Sequence, residues 1–118
     1  MTGILKRDAE RFLADVPEEY VFWCHDGQPL RNMMELEKAL RSMEEETFAH
    51  HANDRRNDFS TWARDVLKDE DLATELGTLL NRTEAARKVG ERVVFLTSTL
   101  VKKPRTQRGR GRRRPADI

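Results

Sequence analysis

From Ala86 to Leu100 the apolar residues Ala86, Val89, Val93, Leu96 and Leu100 return at alternating steps of three and four. Only an α-helix brings such positions onto one face; on a strand they scatter over both. A single apolar face needs partners, so other segments must supply facing stripes. Met33, Leu36, Leu40 and Met43 form one, at i, i+3, i+7 and i+10, behind a capping Asn32. Residues 4–16 supply another through Leu5, Ala9, Phe12, Leu13 and Val16, stopped before Pro17. Phe59, Trp62, Ala63 and Val66 follow a cap at Asn57 or Asp58, and Leu72, Ala73, Leu76, Leu79 and Leu80 follow a cap at Asp69.

Three further local signals complete the expected elements. Thr47 is positioned to cap a short helix holding Phe48, Ala49, His50, His51 and Ala52, after the solvated run Glu44–Glu46. Asn81 with Glu84 has the spacing of a capping box. Gly90 weakens the last helix by roughly 1 kcal/mol unless another helix packs closely there. The aromatic and β-branched run YVFWC, residues 20–24, ends at the turn signal His25-Asp26-Gly27, and QPL follows. It predicts a short strand or small hairpin with Pro29 near its edge. The expected fold class is mainly α: five to six short helices around one small core, with a short β element near residues 20–30.

Composition bounds the rest. Of 118 residues, 37 % are hydrophobic and 36 % charged, which suits one small folded domain. Cys24 is the lone cysteine, so no intrachain disulfide forms, and a reducing, cytoplasmic setting is expected. No run approaches the roughly 18–20 apolar residues of a membrane span. The start, MTGILKRDAERF, has no signal-peptide pattern. The net charge of +1 hides +7 from Val101 onward and therefore −6 on the first 100 residues. Beyond Pro104, TQRGRGRRRPADI has no apolar residue to bury until its end. The domain organisation read from this is a compact body, 1–101, and a disordered basic tail, 102–118.

Two segments carry a resemblance. They are "YVFWCHDGQPLRNMMELEKAL" and "TFAHHANDRRNDFSTWARDVLKDEDLATEL". Together they resemble a small uncharacterised prokaryotic domain family, largely archaeal, over about residues 18–97. The family pattern corresponds here to Phe48, His51 (or His50), Asn57, Asp58, Phe59, Trp62, Leu72 and Ala73. The resemblance implies a mostly helical fold and no particular reaction.

The stretch HHANDRRNDFSTW, residues 50–62, concentrates the chemically versatile side chains. His50, His51, Asn57, Asp58, Phe59 and Trp62 read first as cap and anchor, with a ligand pocket as the competing reading. One histidine is expected to be buried and bonded to the Asn-Asp cap, with the other outside. Cys24, His25, His50, His51 and Asp58 are competent metal ligands, but adjacent helical histidines point about 100° apart, and no zinc-type spacing occurs. Neither a metal nor another cofactor is expected. Cys24 reads as a small buried hydrophobe and makes no dyad with His25, because neighbours on a strand face opposite sides. No nucleophile–base–orienter set is visible, so the chain reads as no enzyme.

The basic segment is the sharpest functional feature. KKPRTQRGRGRRR holds Lys102, Lys103, Arg105, Arg108, Arg110, Arg112, Arg113 and Arg114 within thirteen residues. Arginine forks bind phosphates bidentately, and glycine lets the backbone follow a groove. The expected partner is nucleic acid or a ribonucleoprotein, RNA ahead of DNA, with no membrane partner. The competing functions are a protein–protein adaptor whose acidic body meets the partner and a small metal- or ligand-binding enzyme centred on His50, His51 and Asp58; the plain readings of the tail are a solubility tail, an intramolecular partner for the acidic body, or a sorting signal.

Overall fold

The final stripe becomes the longest helix and the element on which most of the others lie. A computed structural model describes residues 5–78 and 81–101. Among them are α1 (Lys6–Leu13), a 3-10 turn (Glu18–Tyr20), β1 (Phe22–Trp23), β2 (Pro29–Leu30), α2 (Met33–Ser42), α3 (Glu45–His51), α4 (Asp58–Asp65), α5 (Glu70–Gly77) and α6 (Arg82–Val101). The fold is mainly α, with one antiparallel hairpin pairing Phe22 with Leu30 and Trp23 with Pro29. α1 and α2 pack along α6, while α5 pairs with α4 and also reaches α6. One core unites these layers. Met33, Leu36, Leu40 and Met43 of the α2 stripe are all buried in it, as are Phe59, Trp62 and Ala63 from α4 and Leu72, Ala73 and Leu76 from α5.

The capping signals act locally. Asn32 Oδ1 accepts from Glu35 N–H at 2.8 Å, and Asp69 Oδ1 accepts from Leu72 N–H at 3.2 Å. Asn81 Oδ1 accepts from Glu84 N–H at 3.0 Å. The return half of that box is absent among the described contacts, since Glu84 Oε1 instead takes the Arg87 guanidinium at 2.6 Å.

Four expectations need correction. α3 begins two residues ahead of Thr47, with Glu44 at its N-cap position. Glu45 and Glu46 fit the positive end of the helix dipole, which frees Thr47 to lie buried beside Phe48. α1 stops at Leu13; the chain then runs extended, and Val16 N–H donates to Arg31 O at 2.8 Å. Leu5 precedes α1 and is exposed, so it contributes nothing to the stripe. Tyr20 belongs to the 3-10 turn, which shortens the strand to Phe22–Trp23. Leu79, Leu80 and the expected tail, 102–118, lie outside the described residues.

Longer-range polar contacts lock the layers. Arg82, at the start of α6, donates from Nη1 to Leu40 O at 2.7 Å and to Arg41 O at 3.0 Å, satisfying carbonyls at the end of α2. Asp69 is 1 % exposed and holds Arg92 through two bonds of 2.7 and 2.8 Å, tying the N-terminus of α5 to α6. Lys68, with φ +68°, makes the left-handed turn between α4 and α5.

Gly90 does face α2, and what sits over it is an ion pair. A Cβ there would meet Glu37 Oε2 at 2.8 Å and Arg41 Nη2 at 3.0 Å. Both atoms end flexible, partly exposed side chains, so they can move. Gly90→Ala should therefore raise stability by up to about 0.5 kcal/mol, the roughly 1 kcal/mol gain in helix propensity being partly offset by disturbing an exposed pair. Chemical denaturation of the two proteins reads this directly. Trp62 is buried and its Nε1 donates to Tyr20 O at 2.8 Å. Trp62→Ala should lower stability by about 3–5 kcal/mol, measured the same way; a loss below about 1 kcal/mol would place the ring outside the core.

Candidate functional site

The stretch 50–62 folds as a helix end, a tight turn and a helix start, and most of its polar side chains have a structural bond. α3 ends at His51. Its last carbonyls are met by the turn that follows: Asn53 Nδ2 donates to Ala49 O at 2.9 Å and Arg56 Nη2 to His50 O at 2.7 Å. Asn53 Oδ1 also accepts from the Arg55 and Arg56 amides, the pattern of an Asx turn. An isolated bridge between Ala52 and Asn57 closes the loop. Asn57, rather than Asp58, is the N-cap of α4: its Oδ1 accepts from Ser60 N–H at 3.0 Å. Its Nδ2 reaches across to Leu76 O at 2.7 Å, so one side chain serves the start of α4 and the end of α5.

His51 is the centre of this region. It is 6 % exposed and packs edge-on to Phe22 and Phe59, at ring-centroid distances of 5.0 and 5.4 Å. The backbone N–H of His25 donates to His51 Nε2 at 2.9 Å. That nitrogen must then carry a lone pair, so the proton sits on Nδ1, which donates to Asp58 Oδ2 at 3.0 Å. Arg56 Nε stands 3.4 Å from the same carboxylate oxygen. The expected pairing of one buried histidine with the Asn-Asp cap is therefore present, through His51 and Asp58. The hairpin amide was not foreseen, because His25 lies 26 residues away and a backbone donor leaves no mark in sequence.

An Asp–His pair is half of a nucleophilic site, and the other half requires Nε2 to face a hydroxyl or thiol. Here Nε2 is occupied by the His25 amide. Cys24 is buried, and loss of hydration, then the nearby Asp26 charge, push its thiol up to about 11. It stays protonated at neutral pH and is no nucleophile. His50 lies outside, stacked on His25 with centroids 3.9 Å apart and planes 16° from parallel. Stacked imidazoles direct their lone pairs along parallel planes, so the two rings do not converge on one point in this arrangement. Among the described residues no group of three or more His, Cys, Asp or Glu is placed to hold a metal ion.

The cleft between α5 and α6 is lined by Asp71, Leu72, Glu75, Lys88, Glu91, Arg92 and Phe95 and has a volume of about 260 Å³. Its cations are engaged within it: Lys88 with Glu75 and Glu91, and Arg92 with Asp69 and Asp71. No described helix is long and apolar enough to cross a membrane. The eight basic residues from Lys102 to Arg114 lie outside the described residues, following the exposed Val101 that ends α6. The molecule is thus a small helical domain whose histidine–carboxylate centre is consumed in holding the hairpin to α3 and α4. Compared with family models, curated proteins and solved structures, the chain matches none.

Acid should loosen this region. The His50 imidazole titrates below its ordinary value of 6.5, first because its hydration is reduced against its neighbours, then through His25, His51 and Arg56, with Asp58 opposing. The unfolded chain binds that proton more readily, so stability is fully present above about pH 6.5 and declines as the pH falls through the lowered value. Melting temperatures from pH 8 to about 5 should fall, and His50→Gln should flatten part of the fall. At pH 8, His51→Ala should lower stability by about 2–3 kcal/mol, because it strands the His25 amide and leaves a gap beside Phe22 and Phe59, whereas His50→Ala should leave it nearly unchanged. Equal losses from the two substitutions would contradict the hub role of His51.

Proposed function

We propose that the chain is a non-catalytic helical domain that binds nucleic acid, RNA ahead of DNA, through Lys102, Lys103, Arg105, Arg108, Arg110, Arg112, Arg113 and Arg114. The observation that carries the reading is eight cations within KKPRTQRGRGRRR, appended to a body of net charge −6. Arginine forks engage phosphate oxygens, and release of condensed counterions supplies affinity without sequence reading. The segment has no aromatic residue to stack on bases, so recognition rests on charge and shape. The bonding of His51 supports a non-catalytic body, since the nitrogen that would act as a base is already filled. Exposed Trp23 on the hairpin and Tyr20 in the 3-10 turn before it favour the second reading, an adaptor that meets a protein through this face.

Salt dependence separates the two. If all eight cations meet phosphates, the log–log slope of affinity against salt reaches at most about −7 on duplex DNA and about −5 to −6 on single strands. Replacing Arg112, Arg113 and Arg114 with Gln should flatten the single-strand slope by up to about 2, while scrambling the oligonucleotide sequence leaves affinity nearly unchanged. Fluorescence anisotropy with a labelled single-stranded RNA measures both effects. No measurable affinity near 50 mM salt, where about a tenfold or greater advantage over physiological salt is due, would leave the adaptor reading in its place.

A further inference from the structure

The hairpin turns one aromatic ring inward and one outward. Phe22 is buried, whereas Trp23, the next residue, is 64 % exposed. Its indole lines a groove of about 540 Å³ with Asp15, Val16, Glu18, Val21 and Arg31. The charges in that groove are unequal. Arg31 is balanced by Glu35, which stands 3.8 Å from its guanidinium and accepts its backbone N–H at 2.8 Å. Asp15 accepts only the neutral Asn32 amide, at 2.7 Å, and among the described residues neither Asp15 nor Glu18 has an ion-pair partner. Two uncompensated carboxylates beside an open indole face make a site for a guanidinium: the fork pairs with a carboxylate while the plane stacks on the ring. The same carboxylates repel phosphate, so nucleic acid is the wrong occupant for this groove.

We infer that the groove is occupied by the chain's own basic arm, residues 102–118, whose arginines stack on Trp23 and pair with Asp15 and Glu18. Three observations carry this. The arm holds +7 and the body −6, so the two attract. The arm starts at Lys102, directly after α6, which α1 packs along; Asp15 and Val16 follow α1 closely in the chain. Seventeen residues at about 3.3 Å each reach roughly 55 Å, enough to cover a small domain, and the tether gives the arm an effective concentration in the millimolar range. Docking in this way places the body in competition with nucleic acid for one set of arginines. That regulatory consequence rests on the nucleic-acid reading above, whereas the docking itself does not.

Two measurements on the full chain test the inference. The first is acrylamide quenching of tryptophan fluorescence, which reports mainly Trp23 because Trp62 is buried. Quenching should rise about twofold between low and high salt as screening releases the arm. In Arg108→Gln/Arg110→Gln/Arg112→Gln/Arg113→Gln/Arg114→Gln and in Asp15→Asn/Glu18→Gln it should already be high at low salt. The second is affinity for an unstructured oligouridylate. Trp23→Ala changes no charge, yet it should tighten binding by about threefold or more at low salt by removing the competitor. Asp15→Asn/Glu18→Gln should tighten it further than Glu44→Gln/Glu46→Gln, an equal neutralisation elsewhere on the surface. Quenching that ignores both salt and the arm substitutions overturns the inference, as does Trp23→Ala binding like the parent. Protection that grows with protein concentration assigns the groove to the arm of a second copy and overturns docking within one chain. Failure of every variant to bind RNA, with quenching still answering to salt and to the arm, removes the nucleic-acid reading and leaves the docking intact.

Discussion

The side chain of His51 brings three pieces of this protein together at one point: the hairpin, α3 and α4. Its Nε2 receives the His25 amide of the hairpin, its Nδ1 donates to Asp58 at the first turn of α4, and its own backbone ends α3. The ring packs edge-on to both Phe22 and Phe59. A buried imidazole is acceptable only with both nitrogens satisfied, and only one tautomer satisfies both here. One of the contacts that hold the hairpin, beside the burial of Phe22 and Leu30, therefore needs the proton to rest on Nδ1. A charged ring would present a second N–H to the His25 amide, which has no acceptor to offer.

The same economy governs the charged residues. More than a third of the chain is charged, yet many of its arginines serve as structural donors. Arg82 closes α2, Arg56 closes α3, and Arg92 is clamped by the buried Asp69. Buried ion pairs lose much of their Coulombic gain to desolvation, so Asp69–Arg92 ties the start of α5 to α6 without a large gain in stability. Exposed pairs such as Arg87 with Glu84 and Glu91 contribute little each. With these cations engaged in the body, the concentration of unassigned positive charge falls on residues 102–114, beyond α6.

That division explains why the candidate site and the proposed function sit in different parts of the chain. The stretch richest in histidine, asparagine and aspartate is built into the framework, whereas the simplest stretch in chemical variety carries the functional reading. The body's part in that reading is presentation and competition: an acidic surface with an exposed indole beside an arm of opposite charge.

Helix positions and most of their caps were legible because their signals are local. Stripes repeat within a few residues, and Asn32, Asn57, Asp69 and Asn81 bond amides three residues ahead. Local signals misled where two of them competed: Thr47 and the Glu44–Glu46 run both mark a helix start, and burial of Thr47 beside Phe48 decided for the glutamates. The core membership of Phe59 and Trp62 was likewise readable from spacing. What sequence alone determined was which faces are apolar and where helices begin. Tertiary structure alone decided the long-range partners: His51 with the His25 amide, Trp62 with the Tyr20 carbonyl, Arg82 with the end of α2, Arg92 with Asp69. The physical reason is that every residue but proline offers the same backbone donor and acceptor, and any carboxylate can pair with any arginine, so which of them meet depends on how the helices cross.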